Sequence, residues 1–99
     1  MNIEIHTIHF DADEKLLDFV RQKVNKLGKF NDDIMNAEVF LRFENAPEME
    51  NKMAEIKLTL RGSNLFAKKQ GKNFEEAVDL AAEAMRKQLK KHKEKPRRA

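Results

Sequence analysis

The sequence contains no cysteine, tryptophan or tyrosine, and only 3 glycines among its 99 residues. The absence of cysteine excludes a disulfide framework, a thiolate metal site and a cysteine nucleophile. Because all seven aromatic residues are phenylalanine, the chain lacks polar-tipped aromatic side chains for recognising a small ligand. Its few glycines form no phosphate-cradling motif. We therefore expect no cofactor and no small-molecule substrate.

Long apolar runs are also missing. No segment approaches the roughly 20 apolar residues that cross a bilayer, and residues 1–5 lack the basic-then-apolar layout of a secretory signal. We therefore expect a cytoplasmic protein without a membrane partner. A chain of this length predicts one domain, residues 1–95, followed by a short basic tail, residues 96–99. We expect the protein to be monomeric when free.

Basic residues are concentrated near the C-terminus. Residues 1–82 hold 12 Lys/Arg against 15 Asp/Glu, a formal charge of −3, whereas residues 83–99 hold 8 against 2, a charge of +6. A local basic patch on a mildly acidic chain indicates a surface for a polyanion such as a nucleic acid. A basic tail that only keeps the protein soluble would have the same composition, so the positions of the charges on the helices must decide.

Alternation of apolar and polar residues predicts four strands. These strands cover residues 2–10, 37–43, 54–60 and 65–69. The facing of the first strand changes near His6 and Thr7. Residues 44–51, which include Pro47, form a polar loop. Gly62 and Ser63 form a hairpin turn between the last two strands.

Two amphipathic helices complete the order β-α-β-β-β-α. The first follows the N-cap candidates Asp11 and Asp13 and ends at Gly28, with an apolar stripe of Leu16, Leu17, Val20, Val24 and Leu27. The second follows the N-cap candidate Asn73 and ends before Pro96, with a stripe of Phe74, Ala77, Val78, Ala81, Ala82, Ala84, Met85 and Leu89. Antiparallel strands with one polar face predict a two-layer α+β domain, a four-stranded sheet with both helices on one face, like a double-stranded-RNA-binding domain.

Both helices carry basic residues beside their apolar stripes. The exposed side of the last helix has acidic residues in its first half and, in its second half, Arg86, Lys87, Lys90 and Lys93. Favourable interaction with the helix dipole, about 0.3–1 kcal/mol per charge, fades beyond the last turn and explains only two or three of these bases. The first helix has a basic flank beside Phe19, formed by Lys15, Lys23 and Lys26, with Lys29 just beyond.

If the helices pack side by side, the two flanks form one groove that suits a phosphate backbone. The alternative, that lysines such as Lys15 and Lys23 only solvate a helix, remains open for each residue taken alone.

The helices also resemble a known family. Residues 73–79 (NFEEAVD) and 85–95 (MRKQLKKHKEK) are similar to the final helix of the ribosome hibernation-promoting factors, also called ribosome-associated inhibitors or subunit-interface proteins. That helix begins with D-M-Y-x-A-I-D and ends with K-L-x-R-Q-L-x-K-H-K-x-K. Residues 17–27 resemble the family's first helix, and the length and element order agree with its short form. The resemblance extends over essentially the whole chain and is specific in the segment from Gln88 to Lys95.

The resemblance implies a factor that binds small-subunit ribosomal RNA in the decoding and mRNA channel. It would occlude the tRNA and mRNA sites and inhibit translation under stress or in stationary phase. Its partners would be the small ribosomal subunit and its rRNA. Lys87 stands where the family pattern has arginine, which gives up bidentate phosphate contact. The predicted RNA-binding residues are Lys23, Lys26, Lys29, Arg86, Lys87, Lys90, Lys91, His92, Lys93 and Lys95.

Two other binding functions are compatible with the sequence. A generic double-stranded-RNA-binding module places lysines at the start of its last helix, and Lys68, Lys69 and Lys72 stand there. However, two acidic residues follow directly and would oppose an RNA backbone. A protein-interaction adaptor would use the open face of the sheet, where Phe40 and Phe66 are expected to form an apolar patch.

Catalysis is not predicted. His6 and His9 in one strand would point to opposite faces and could not share a metal ion, so we predict no metal site. Asp11, Asp13, Asp32 and Asp33 are explained as caps and turns. We therefore expect a protein that is not an enzyme.

Overall fold

A computed structural model describes residues 1–44 and 51–94. Its elements are β1 (Asn2–Thr7), α1 (Glu14–Leu27), β2 (Ile34–Phe43), β3 (Lys52–Leu60), β4 (Ser63–Gly71) and α2 (Phe74–Glu94). The predicted order of elements is confirmed. Most of the predicted polar loop, the helix end before Pro96 and the basic tail lie outside the described residues.

The four strands form one mixed sheet in the order β1-β2-β3-β4. The pairs β2–β3 and β3–β4 are antiparallel, whereas β1 runs parallel to β2, with Ile5 opposite Val39. The prediction of antiparallel strands is therefore wrong for β1. The cause is α1, which crosses over the sheet between two adjacent strands and returns the chain to the same end, so that the strands must run in the same direction.

The first strand is shorter than predicted. The amide of Ile8 still donates to the carbonyl of Leu41 at 2.9 Å, but His9 has a φ of 64°, a left-handed conformation that a strand excludes. This turn places Phe10 on the core side, where its ring stacks on Phe74 with the centroids 4.7 Å apart. The change of facing is thus a turn that follows Thr7, and not a shift within the strand.

One face of the sheet is buried under both helices, as predicted. Alternate residues of the central strands point to this face, and they include Ala37, Val39, Leu41, Ile56 and Leu58. The helices bury most of their predicted stripes on the same cluster, among them Val20, Val24, Val78, Ala81, Met85 and Leu89. The predicted stripe residue Leu17 is not part of the cluster, and Phe19 packs against it instead. Because both helices pack on this one core, the face of each helix opposite its apolar stripe is exposed to solvent. None of the described helices is long and apolar enough to cross a membrane.

Both helices begin at a predicted cap. The Asp13 carboxylate accepts a hydrogen bond from the Leu16 amide at 2.9 Å, and the Asn73 side chain accepts one from the Glu76 amide at 2.8 Å. Glu76 in turn accepts from the Lys72 amide at 3.0 Å. Each cap satisfies an amide that the first turn leaves without a partner, and such caps contribute about 1 kcal/mol.

Glycine is required at two of its three positions, Gly62 and Gly71. Leu60 pairs with Ser63, so the hairpin turn is Arg61–Gly62 and not Gly62–Ser63, and Gly62 has a φ of 75°. Gly28 follows α1 as predicted, but its φ is −61°, so it is not a left-handed cap. A Cβ on Gly71 would lie 2.8 Å from the Ala77 amide nitrogen. The end of β4 can therefore lie against the start of α2 only if residue 71 has no side chain.

Gly71→Ala is expected to lower the free energy of unfolding by about 1–3 kcal/mol, because the added methyl group overlaps backbone that cannot move without displacing α2. Urea unfolding followed by circular dichroism measures the change.

The matched control is Gly28→Ala, whose Cβ would lie 3.2 Å from the flexible end of Met1 and 3.3 Å from the Asn25 carbonyl oxygen, both farther than the 2.8 Å at Gly71. That change is expected to stay within about 0.5 kcal/mol. Equal effects at the two positions would contradict the assigned role of Gly71.

Candidate nucleic-acid interface

The two helices run in the same direction. The helix α1 runs opposite to β2 because it connects the parallel pair β1 and β2, and α2 runs opposite to β4, which is parallel to β2. With 21 residues against 14, α2 is about 10 Å longer than α1. The C-terminal ends of both helices therefore lie at the same end of the domain.

An ion pair shows how the two helices are aligned. Lys23 Nζ lies 2.7 Å from Asp79 Oδ1, so the second half of α1 lies beside the first half of α2. Three residues farther on, Lys26 comes about level with Ala82 of α2, one helical turn before Arg86, and Lys29 follows the end of α1. Lys26, Lys29 and the basic residues of α2 thus lie toward the same end of the helix layer.

Most of the predicted lysines are free for a partner. The exposed residues are Lys26, Lys29, Lys87, Lys90 and Lys91. None of these five forms an ion pair with another described residue. His92 is half-buried. Lys95 and the side chain of Lys93 lie outside what the structure describes.

Arg86 differs from the lysines because it is already paired. Its guanidinium donates two hydrogen bonds to the Glu83 carboxylate, one helical turn earlier. These bonds hold the pKa of Glu83 below its usual range and raise the pKa of Arg86. A phosphate that binds Arg86 must therefore compete with Glu83, so the free lysines make up the more accessible part of the basic surface.

Replacing Arg86 with glutamine is expected to raise the pKa of Glu83 toward that of an ordinary glutamate, because the hydrogen bonds to its charged form are lost. In the intact protein the lowered pKa of Glu83 means that its pairing with Arg86 stabilises the helix at neutral pH. This stabilisation is lost as the pH falls through the folded-state pKa of Glu83.

Carboxyl-detected NMR titration of wild type and variant measures the shift, with Glu75 on the same helix as an internal reference. A Glu83 pKa that is the same in both proteins would contradict the pairing.

Gln88 holds the basic half of α2 to the sheet. Its side-chain nitrogen donates to the carbonyl oxygen of Phe66 at 2.7 Å, on the edge strand β4, and the neighbouring Leu89 is buried in the core. With these two side chains directed at the sheet, Lys87, Lys90 and Lys91 are left on the exposed side. The sequence resemblance singled out Gln88, but its role as an anchor depends on the distance to a strand 22 residues earlier.

The family model described as "Sigma 54 modulation protein / S30EA ribosomal protein" matches residues 3–97. The chain belongs to this family. The match includes all ten predicted RNA-binding positions, from Lys23 to Lys95.

Two relatives carry the name that the sequence resemblance indicated. The chain is 30% identical over 95 residues to the "Ribosome hibernation promoting factor" of Pseudomonas putida. The aligned residues cover 96% of this chain and 89% of that protein. It is also 30% identical over 95 residues to the protein of the same name in Azotobacter vinelandii, and the aligned residues cover 96% of this chain and 85% of that protein. The predicted membership of the hibernation-promoting factor family is confirmed.

Solved structures of the same fold support the architecture. A ribosomal subunit interface protein from Coxiella burnetii matches with a TM-score of 0.85 at 22% identity, over 96% of this chain and 100% of that one. The N-terminal domain of Protein Y from Thermus thermophilus matches with a TM-score of 0.80 at 22% identity, over 93% and 99%. The predicted α+β fold is confirmed, and the likeness to a double-stranded-RNA-binding domain stays a prediction.

The open face of the sheet is more polar than an adaptor surface requires. Phe66 is 49% exposed, but Phe40 stacks on His6 at 4.8 Å and lies under the Lys57 ammonium. Lys57 on β3 pairs with Phe66 on β4 and separates it from Phe40 on β2. The two phenylalanines therefore do not form the continuous apolar patch that the adaptor alternative expected.

Three side chains with metal-binding chemistry meet on this face. Glu4 and Glu38 are opposite each other in the β1–β2 register, and His6 Nε2 lies 3.7 Å and 3.3 Å from their carboxylates. The proximity of His6 to Glu38 depends on the parallel pairing of β1 with β2, which was not predicted. Like charges directly opposite each other are unfavourable, and His6 places a ring nitrogen within 4 Å of both carboxylates. The absence of a bound metal ion stays a prediction.

Proposed function

We propose that this protein is a ribosome hibernation factor that binds small-subunit rRNA in the decoding and mRNA channel. By occupying that channel it would exclude tRNA and mRNA and inhibit translation under stress or in stationary phase. The proposed mechanism is occlusion and needs no reaction. It is supported by family membership and by the five free lysines, Lys26, Lys29, Lys87, Lys90 and Lys91, at one end of the helix layer.

The chemistry of these lysines suits folded RNA. A lysine ammonium neutralises a phosphate without demanding a particular base, and binding releases the counterions condensed on the RNA. Selectivity for the ribosome would then come from the shape of the domain and the spacing of its charges, and not from base-specific contacts. A protein that contacts six phosphates has a log–log salt slope of about −4 to −5.

Reversing the free lysines of α2 with Lys87→Glu, Lys90→Glu and Lys91→Glu is expected to abolish association with small subunits while the fold is kept, since all three side chains are exposed. The measurement is co-sedimentation with purified small subunits at low and moderate salt, together with translation in vitro. Circular dichroism checks the fold.

The control variant, Lys69→Glu and Lys72→Glu, reverses two exposed lysines on β4 and in the turn after it. Lys68 is left unchanged because its ammonium lies 3.5 Å from the Glu44 carboxylate. It is expected to bind with at most a modest loss. If the α2 variant still co-sediments, the proposed binding face is wrong.

The generic double-stranded-RNA-binding module is the second candidate, because Lys69 and Lys72 are exposed beside the start of α2. Under that function the control variant would lose binding, and a simple stem duplex would displace the protein from small subunits. Under the hibernation proposal the duplex is a poor competitor.

A further inference from the structure

The ion pair between Lys23 and Asp79 has a special position. In the described part of the chain, every other ion pair lies within one helix or on the sheet, and this one joins α1 to α2. The Lys23 ammonium also lies 5.3 Å from the centre of the Phe19 ring, which packs against the core. The Lys23 side chain is 32% exposed. It is thus held on two sides, unlike the free lysines.

The presence of Asp79 beside the RNA-binding surface requires a reason. A carboxylate near phosphates is repelled by them, and the other acidic residues of α2 close to bases have separate tasks. Glu76 accepts a hydrogen bond from the Lys72 amide before the helix, and Glu83 pairs with Arg86 on the same helix. Among the described side chains of α2, Asp79 is the acidic one whose partner belongs to α1, so its contact links the two helices at their surface.

We propose that Asp79 is a positioning residue of the RNA-binding surface, and that Lys23 supports this surface as its partner and does not bind phosphate itself. The inference rests on the proposed function. The pair is electrically neutral, so RNA meets no net positive charge there. Its effect is to hold Lys26 and Lys29 at a fixed place beside the basic half of α2, so that both sets of lysines contact one rigid array of phosphates.

This role predicts a result opposite in sign to that of simple electrostatics. Asp79→Asn makes the protein more positive and releases Lys23, so a surface that acted only through charge would bind RNA more tightly. If Asp79 positions the helices, the same change weakens binding, because the lysines of α1 are no longer held. We expect a loss of about two- to five-fold, the range of a solvent-accessible ion pair.

The test measures affinity for purified small subunits over a series of salt concentrations. Four proteins are compared: wild type, Asp79→Asn, Lys23→Gln, and the charge exchange that combines Lys23→Asp with Asp79→Lys. Both single variants are expected to bind more weakly with an unchanged salt slope, and the exchange is expected to restore most of the affinity. Thermal unfolding of each variant shows that the chain is folded. The control is Glu75→Gln, which removes the same charge one turn earlier on the same face of α2 and is expected not to weaken binding.

Three results would overturn the inference. One is an Asp79→Asn variant that binds as tightly as wild type or more tightly. Another is a Lys23→Gln variant whose salt slope falls by about 0.7–0.9, the value of one lost phosphate contact. The third is a Glu75→Gln variant that loses as much affinity as Asp79→Asn. In all three cases the wild-type protein binds, which separates them from failure of the proposed function, where wild type does not bind small subunits and both proposals fall together.

Discussion

The packing of two apolar helix stripes against one face of the sheet is the constraint on which the other features depend. Residues such as Val24 of α1 and Met85 of α2 are fully buried against Val39 and Ile56. Because one side of each helix is committed to this core, the opposite side is fixed toward solvent. A charged residue whose helical spacing places it opposite the apolar stripe must therefore be exposed in the folded protein. The basic surface is a direct consequence of the core.

The parallel crossover between β1 and β2 adds the second constraint. It makes α1 run in the same direction as α2, so that the C-terminal halves of both helices lie together. An antiparallel β1 would have placed Lys26 and Lys29 at the other end of the helix layer, far from Lys90. The grouping of the lysines thus depends on a strand that contributes none of them.

Periodicity within single elements was sufficient to predict much of this structure. The stripe from Phe74 to Leu89, the caps at Asp13 and Asn73 and the order of elements depend only on neighbours a few residues apart. The direction of β1, the contact between Lys23 and Asp79 and the bond from Gln88 to Phe66 were not predictable in this way. Each depends on how elements pack across the domain, and no local pattern encodes that relation. The close approach at Gly71 was missed for the same reason.

The same limit applies to the candidate site. Charge counts separated the basic end of the chain from the rest, but they gave Lys23, Arg86 and Lys90 equal weight. The structure distinguishes them, since Lys23 is held by Asp79, Arg86 is held by Glu83, and Lys90 has no ion-pair partner among the described residues. Which cations are available depends on their neighbours and not on their number.

The exposed side of α2 also affects how the protein would approach the RNA partner proposed for it. Acidic residues occupy the first half of this helix and basic residues the second, so positive and negative charge are separated along an axis about 30 Å long. Such a molecule experiences a torque in the field of a polyanion. It would turn its basic end toward the RNA before contact, so that fewer collisions occur in the wrong orientation. The arrangement that places the lysines together thereby also favours a fast, salt-sensitive association rate.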